Sequence, residues 1–149
     1  MTRPNDLSAT EARKLIGNKQ LSPLELTKSC IEQVERYNPS INAVVAINHE
    51  DVLKEAKKAE DDVMAGKELG LLHGLPVGIK DLNPVKDLRS TSGSKLFENR
   101  IPDYDDSVVA DIRAEGGIVF CKTNTPEFGA GANTKNKVYG ATCNPFDLT

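Results

Sequence analysis

A short apolar run ending on a lysine sets the tightest limit on what this chain can become. It reads Leu72-His73-Gly74-Leu75-Pro76-Val77-Gly78-Ile79-Lys80-Asp81. Leu75 to Ile79 lies between turn residues and is too short for a helix, but it has the length of a buried strand. In open α/β sheets chemistry gathers at the carboxyl ends of strands, which is where such a strand delivers Lys80. An amine partly withdrawn from water there disfavours its charged form and becomes a usable base near neutral pH. The other reading is that Lys80 leaves the strand and pairs with Asp81 or another carboxylate.

Around this run the chain separates into two textures. Residues 1–70 read as mainly helical. Ser8-Ala9-Thr10-Glu11 has the form of a capping box, followed by an apolar face of Ala12, Leu15 and Ile16. Ser22-Pro23-Leu24-Glu25 repeats the signal with proline at the first helical position, and Leu26, Cys30, Val34 and Tyr37 follow until Asn38-Pro39 is expected to end the helix. Alternation from Ile41 to Ile47 predicts a short strand. A third helix is expected from near Glu50 to Ala65, with Val52, Ala56, Ala59 and Val63 as its buried stripe and Gly66 closing it.

Residues 71–149 read as α/β. The strand ending at Lys80 is followed by a polar connection, then by a helix with Ser107 at its N-cap and Val108, Val109 and Ile112 on its apolar face. Gly116-Gly117 breaks that helix, and Ile118-Val119-Phe120-Cys121 is the next strand. Strand, helix, strand predicts a right-handed βαβ unit with a parallel pair. The whole is expected to be one domain of α/β class, with N-terminal helices leading into the first part of a mixed, largely parallel sheet.

Composition removes several functions. The chain has 149 residues and a formal net charge of −3, with Lys and Arg spread along its length, which is not a nucleic-acid footprint. No apolar run approaches a membrane span, and Met1-Thr2-Arg3-Pro4-Asn5-Asp6 is not the start of a secretory signal, so a cytoplasmic protein away from membranes is expected. Cys30, Cys121 and Cys143 are too scattered for a disulfide framework or a zinc site, and Cys30 and Cys121 read as buried inert thiols. Neither metal nor cofactor is expected.

The remaining polar candidates have structural readings. Ser90, Ser92 and Ser94 lie in a turn where serine serves local hydrogen bonds. There is no Gly-x-Ser-x-Gly elbow and no phosphate loop. His73 is expected to be a hydrogen-bonded structural histidine, and Asp103, Asp105 and Asp106 to interact with the N-terminus of the helix at Ser107.

Four stretches in order carry a resemblance. They are Tyr37-Asn38-Pro39-Ser40-Ile41-Asn42-Ala43; the decapeptide ending at Asp81; Gly116-Gly117-Ile118-Val119 running into Lys122-Thr123-Asn124-Thr125-Pro126-Glu127-Phe128; and Tyr139-Gly140-Ala141-Thr142-Cys143-Asn144-Pro145-Phe146-Asp147. Together they resemble the amidase signature family, hydrolases that cleave carboxamides with a Ser–cis-Ser–Lys triad. The resemblance implies that Lys80 is the catalytic lysine. It would accept a proton relayed through a bridging serine from the nucleophilic serine, whose attack gives an acyl-enzyme that water hydrolyses. It also implies that Thr91-Ser92-Gly93-Ser94 and Lys122-Thr123-Asn124 pack around the site. Gly129 and Ala130 would border a roomy acyl pocket, and the substrate would be a small linear carboxamide.

One departure bears on function. In the family, the Asn-Pro-Phe/Trp-Asp segment is followed by a Gly-Gly-Ser-Ser-Gly-Gly stretch with the bridging serine, and the nucleophile lies further on. This sequence ends at Asp147-Leu148-Thr149 without either. The expectation is therefore an N-terminal fragment of an amidase, inactive by itself, with a homo-oligomer left open for the full-length protein. Two alternatives stand beside it. One is a non-catalytic α/β scaffold or partner-binding module. The other, within the enzymes, is the A subunit of the tRNA-dependent amidotransferase, whose usual Met-Asp-Glu-Phe is replaced here by Thr125-Pro126-Glu127-Phe128.

Overall fold

A computed structural model describes residues 3–148; the chain end at Thr149 and the first two residues, on which the expectations about an early stop and a leader partly rest, lie outside the described residues. Helix α1 (Ala9–Gly17) begins at the expected box: the Ser8 hydroxyl accepts from the Glu11 N–H at 3.3 Å, and the Ser8 N–H donates to the Glu11 carboxylate at 3.0 Å. At α2 (Pro23–Ile41) the Ser22 hydroxyl accepts from the Glu25 N–H at 3.1 Å, but the box is not reciprocal. Ser22 instead donates its proton to Glu60 on α3 (His49–Met64), tying two helix surfaces together.

Helix α2 does not stop at Asn38-Pro39. It runs on to Ile41 with Pro39 inside it. Its last turn is fastened to the residues that follow it, although the proline removes one helical hydrogen bond. The Asn38 carboxamide accepts from the Ala43 and Val44 N–H groups at 2.9 and 2.8 Å and donates to the Val44 carbonyl at 2.8 Å. Asn42 then closes the helix in the left-handed region at φ 55°. Because Ile41 belongs to the helix, the expected strand shrinks to β1 (Val44–Ala46).

The βαβ unit forms as β2 (Pro76–Lys80), α4 (Ser107–Ala114) and β3 (Ile118–Thr123). The N-cap of α4 is Asp106, not Ser107, because the Asp106 carboxylate reaches the Val108 N–H at 3.2 Å. The sheet order is β1-β3-β2, with β3 parallel to β2 and antiparallel to β1. A separate hairpin joins β4 (Lys135–Asn136) to β5 (Gly140–Ala141).

Strand β3 is central and buried along all but its last residue, as a strand covered on both faces must be. On one face Ile118, Phe120 and Cys121 pack against Ile31 of α2 and Val52, Ala56 and Ala59 of α3. On the other, Val119 and Ile79 meet Val109 of α4 and Val85. A third cluster seats Ala12 and Ile16 of α1 on Leu26, Val63 and Leu75. The β2–β3 register slips between Val77 and Gly78, so that Ile79 lies beside Lys122 and Lys80 beside Thr123. That one-residue slip sets which lysine faces the interior. The result is a mixed α/β fold, as the sequence predicts.

Candidate active site

Strand β2 delivers Lys80 to its carboxyl end, but Lys80 is exposed there and not partly desolvated. Strand β2 is an edge of the three-stranded sheet, and its Gly78 and Lys80 are open to solvent while Ile79 between them is buried. Among the described residues no ion pair reaches the Lys80 ammonium, so the pairing with Asp81 does not form.

Asp81 turns the other way. It is fully buried, and its carboxylate accepts from the Thr91 N–H at 3.0 Å and the Thr91 hydroxyl at 2.6 Å. Its partner is Lys122, also fully buried, with Nζ 3.7 Å from the Asp81 carboxylate. Lys122 Nζ also donates to the Ser90 hydroxyl at 3.1 Å and to the Asn83 carbonyl. Burial pushes the Lys122 ammonium down to about 8; the Asp81 carboxylate pulls it back up, and the Arg100 charge adds to the lowering. The sequence places a depressed amine at Lys80, and the structure shows one on the neighbouring strand instead. Lys122 is enclosed and its protons are committed, whereas Lys80 is accessible.

The polar turn closes around this pair. The Ser90 hydroxyl donates to the Leu88 carbonyl at 3.0 Å within the turn, whereas Ser94 donates to Glu127 at 2.7 Å and ties the turn to a segment 33 residues on. Ser92 and Gly93 lie in the left-handed region, with φ 54° and 64°. A side chain at Gly93 would come within 3.0 Å of the Thr125 carbonyl, so glycine permits the close approach of the two loops. Across that contact the Phe128 N–H donates to the Ser92 carbonyl at 2.8 Å.

Gly129 is brought to the same end of the sheet. A Cβ there would lie 2.7 Å from Leu82 Cδ1, two residues beyond Lys80, so Leu82 fills the space that the missing side chain leaves. Ala130 follows as an exposed residue. His73 is remote in role: it is buried, with Nε2 3.0 Å from the Ala59 carbonyl of α3. Asp105 accepts from Arg113 at 3.0 Å and from the Lys86 N–H at 2.8 Å. Among the described residues no group of three His, Cys, Asp or Glu side chains is placed to hold a metal ion, and no helix is long and apolar enough to cross a membrane.

The sequence offers Asp81 as a partner for Lys80 and gives Lys122 no role of its own; their burial as a pair is what it does not show. Both stand at strand ends in stretches that the motifs mark for chemistry. Their pairing across 41 positions depends on the β2–β3 register, which no local pattern carries.

The chain is matched among known proteins in sequence and in fold. The Amidase family model matches residues 25–149. An acylamidase of Rhodococcus erythropolis is 42% identical over 142 residues, covering 95% of this chain and 30% of that protein. The A subunit of the glutamyl-tRNA(Gln) amidotransferase of Clostridium botulinum (strain Alaska E43 / Type E3) is 38% identical over 140 residues, covering 94% of this chain and 29% of that one. The crystal structure of a bacterial aryl acylamidase of the amidase signature enzymes superposes with a TM-score of 0.87 at 32% identity, covering 95% of this chain and 30% of the other. The chain belongs to the amidase family, the amidase signature enzymes. It spans about 30% of the length of the curated relatives it matches.

Proposed function

We propose that this chain is the lysine-bearing part of an amide hydrolase, with Lys80 as the general base. The observation that carries the reading is the position of Lys80: accessible, at the carboxyl end of β2, with its neighbouring carboxylate already engaged by Lys122. In this reading the neutral Lys80 amine takes a proton from a bridging serine, which takes one from the nucleophilic serine as that oxygen attacks the carboxamide carbon. The leaving amine departs with a proton, and water then cleaves the acyl-serine ester to the carboxylate. In this reading both serines, and the backbone amides that would stabilise the tetrahedral oxyanion, lie outside these 149 residues. The 149 residues themselves are expected to hydrolyse nothing.

Gly129 and Ala130 are assigned to the border of the acyl pocket, because the contact with Leu82 holds their turn against the 80–83 segment. The substrate class is a small linear carboxamide and the setting is cytoplasmic. The A subunit of the amidotransferase is the second reading. It rests on relatives at 38% identity, against 42% for the acylamidase, and Thr125-Pro126 weighs towards the general amidase.

The test is Lys80→Ala in the full-length enzyme that contains this segment. Ammonia or amine release is expected to fall at least about 100-fold, the low end of general acid–base contributions, with the circular dichroism spectrum unchanged. Turnover near the wild-type rate in a folded variant would remove Lys80 from the chemistry.

A further inference from the structure

Two lysines end adjacent strands within one register step of each other, and they have opposite fates. Lys80 lies beside Thr123 on the open side of β2, while Lys122 lies beside Ile79 on the closed side. Next to Lys80 in sequence, and 3.7 Å from Lys122 Nζ, is a buried carboxylate, Asp81. A carboxylate beside an amine favours the ammonium form, which is useless as a base, and attraction within about 4–6 Å shifts a titration by roughly 1–3 units. An enzyme that needs Lys80 neutral therefore has to keep that charge occupied elsewhere.

The arrangement around Asp81 does this. One carboxylate oxygen accepts from the Thr91 N–H and the other from the Thr91 hydroxyl, at 3.0 and 2.6 Å. The compensating positive charge comes from Lys122 Nζ at 3.7 Å, which is held in turn by Ser90 and the Asn83 carbonyl. The Asp81 N–H donates to the Thr123 carbonyl at 2.9 Å. The other charges that bear on Lys122 are Arg100, which donates to the Ser90 carbonyl at 2.8 Å, and Asp106 at the cap of α4.

We propose that Lys122 is a positioning residue for Lys80: it holds the Asp81 carboxylate on the inner side of β2 and so leaves the Lys80 amine without a counter-charge. This rests on the reading of Lys80 as the base, but its test does not require turnover. A buried ion pair contributes little net stability and can be replaced by uncharged groups, whereas removing one partner leaves an uncompensated charge. Lys122→Met therefore leaves Asp81 seeking a cation, with Lys80 the adjacent one. Asp81→Asn combined with Lys122→Met removes both charges together.

The measurement is the acetylation rate of Lys80 by acetic anhydride at pH 7, below the range in which Lys122 gives up its proton, in this chain; only the free amine attacks, and acetate leaves. It is read by peptide mass spectrometry against Lys58, an exposed lysine on α3, in the same sample. Lys122→Met is expected to slow Lys80 at least threefold, and the double variant to return it to within twofold of wild type. A smaller effect in a folded Lys122→Met chain overturns the proposal, as does equal slowing in both variants, which would point to a displaced strand end instead of a freed carboxylate. Should Lys122→Met not fold, the double variant decides against wild type. A rate within twofold is the expected result. A rate more than twofold higher means that Asp81 already paired with Lys80, and a rate more than twofold lower means that the pair serves only the backbone; either overturns the proposal. The labelling result stands whatever Lys80→Ala does to turnover, so failure of this inference and failure of the functional reading are separate outcomes.

Discussion

At the scale of single residues, Lys122 makes the stability of the chain depend on pH in a direction unusual for a lysine. Its ammonium titrates near 8 in the folded chain, against an ordinary value of 10.5. Below pH 8 both states carry the proton, and burying it costs stability; between 8 and 10.5 the unfolded chain binds the proton that the folded chain has released, so stability rises with pH. The buried Cys121 thiol, pushed up to about 12 by burial from 9.0, acts oppositely: its contribution is present below pH 9 and is lost as pH rises towards 12. The thiol cancels in a comparison with Asp81→Asn/Lys122→Met. Relative to that double variant, the wild type is expected to gain about 1 kcal/mol between pH 8 and 9 in urea midpoints. A flat difference would mean that Lys122 titrates at its ordinary value. His73→Ala is the structural counterpart. It empties a buried site and loses the contact with the Ala59 carbonyl, so a loss of about 2–3 kcal/mol is expected with the relative labelling rate of Lys80 unchanged.

Among the elements, the carboxyl end of α2 does more than end a helix. Asn42 sits at φ 55°, and its side chain donates to the carbonyls of Tyr139 and Ala141 at 2.7 and 3.0 Å, fastening the β4–β5 hairpin to the helix. Two substitutions separate the roles. Asn42→Gly keeps the left-handed backbone and loses the ties, and it is expected to cost about 1 kcal/mol with faster hydrogen exchange confined to residues 135–142. Asn42→Ala adds the backbone penalty of roughly 1 kcal/mol more. Equal stability of the two variants would mean that backbone strain plays no part at this cap. The capping box at Ser8 and the stripe on α3 are local patterns and are readable from sequence. The continuation of α2 through Pro39 is not, because its end at Asn42 is tied to the Tyr139 and Ala141 carbonyls, 97 and 99 positions away.

For the molecule as a whole, the open side of the sheet governs behaviour in solution. The unpaired edge of β2 is a template for another strand. Leu71, Leu96, Ile101 and Phe146 are exposed at 79%, 80%, 64% and 95%. This chain is expected to self-associate at high micromolar concentration and to bind an apolar dye while retaining its helices. A monomer by sedimentation, with a sharp melt and no dye binding, would favour the self-sufficient scaffold over the amidase segment.

The sequence by itself determined the α/β class, the βαβ unit, the starts of α1 and α2 and the strand that carries Lys80, because each follows from hydrophobic period, turn chemistry and caps within a few residues. It also carried the family resemblance, through four short motifs in order. Only the tertiary structure decided which lysine is buried. The register slip between Val77 and Gly78 places Lys122 beside Ile79 on the inner face and Lys80 on the open one. Asp81 could not be assigned a partner from its neighbours in sequence, since the ammonium that neutralises it comes from a strand 41 residues away. Charge pairing in a sheet interior depends on which side chains share a face. That depends on register, which is settled by packing across the whole sheet.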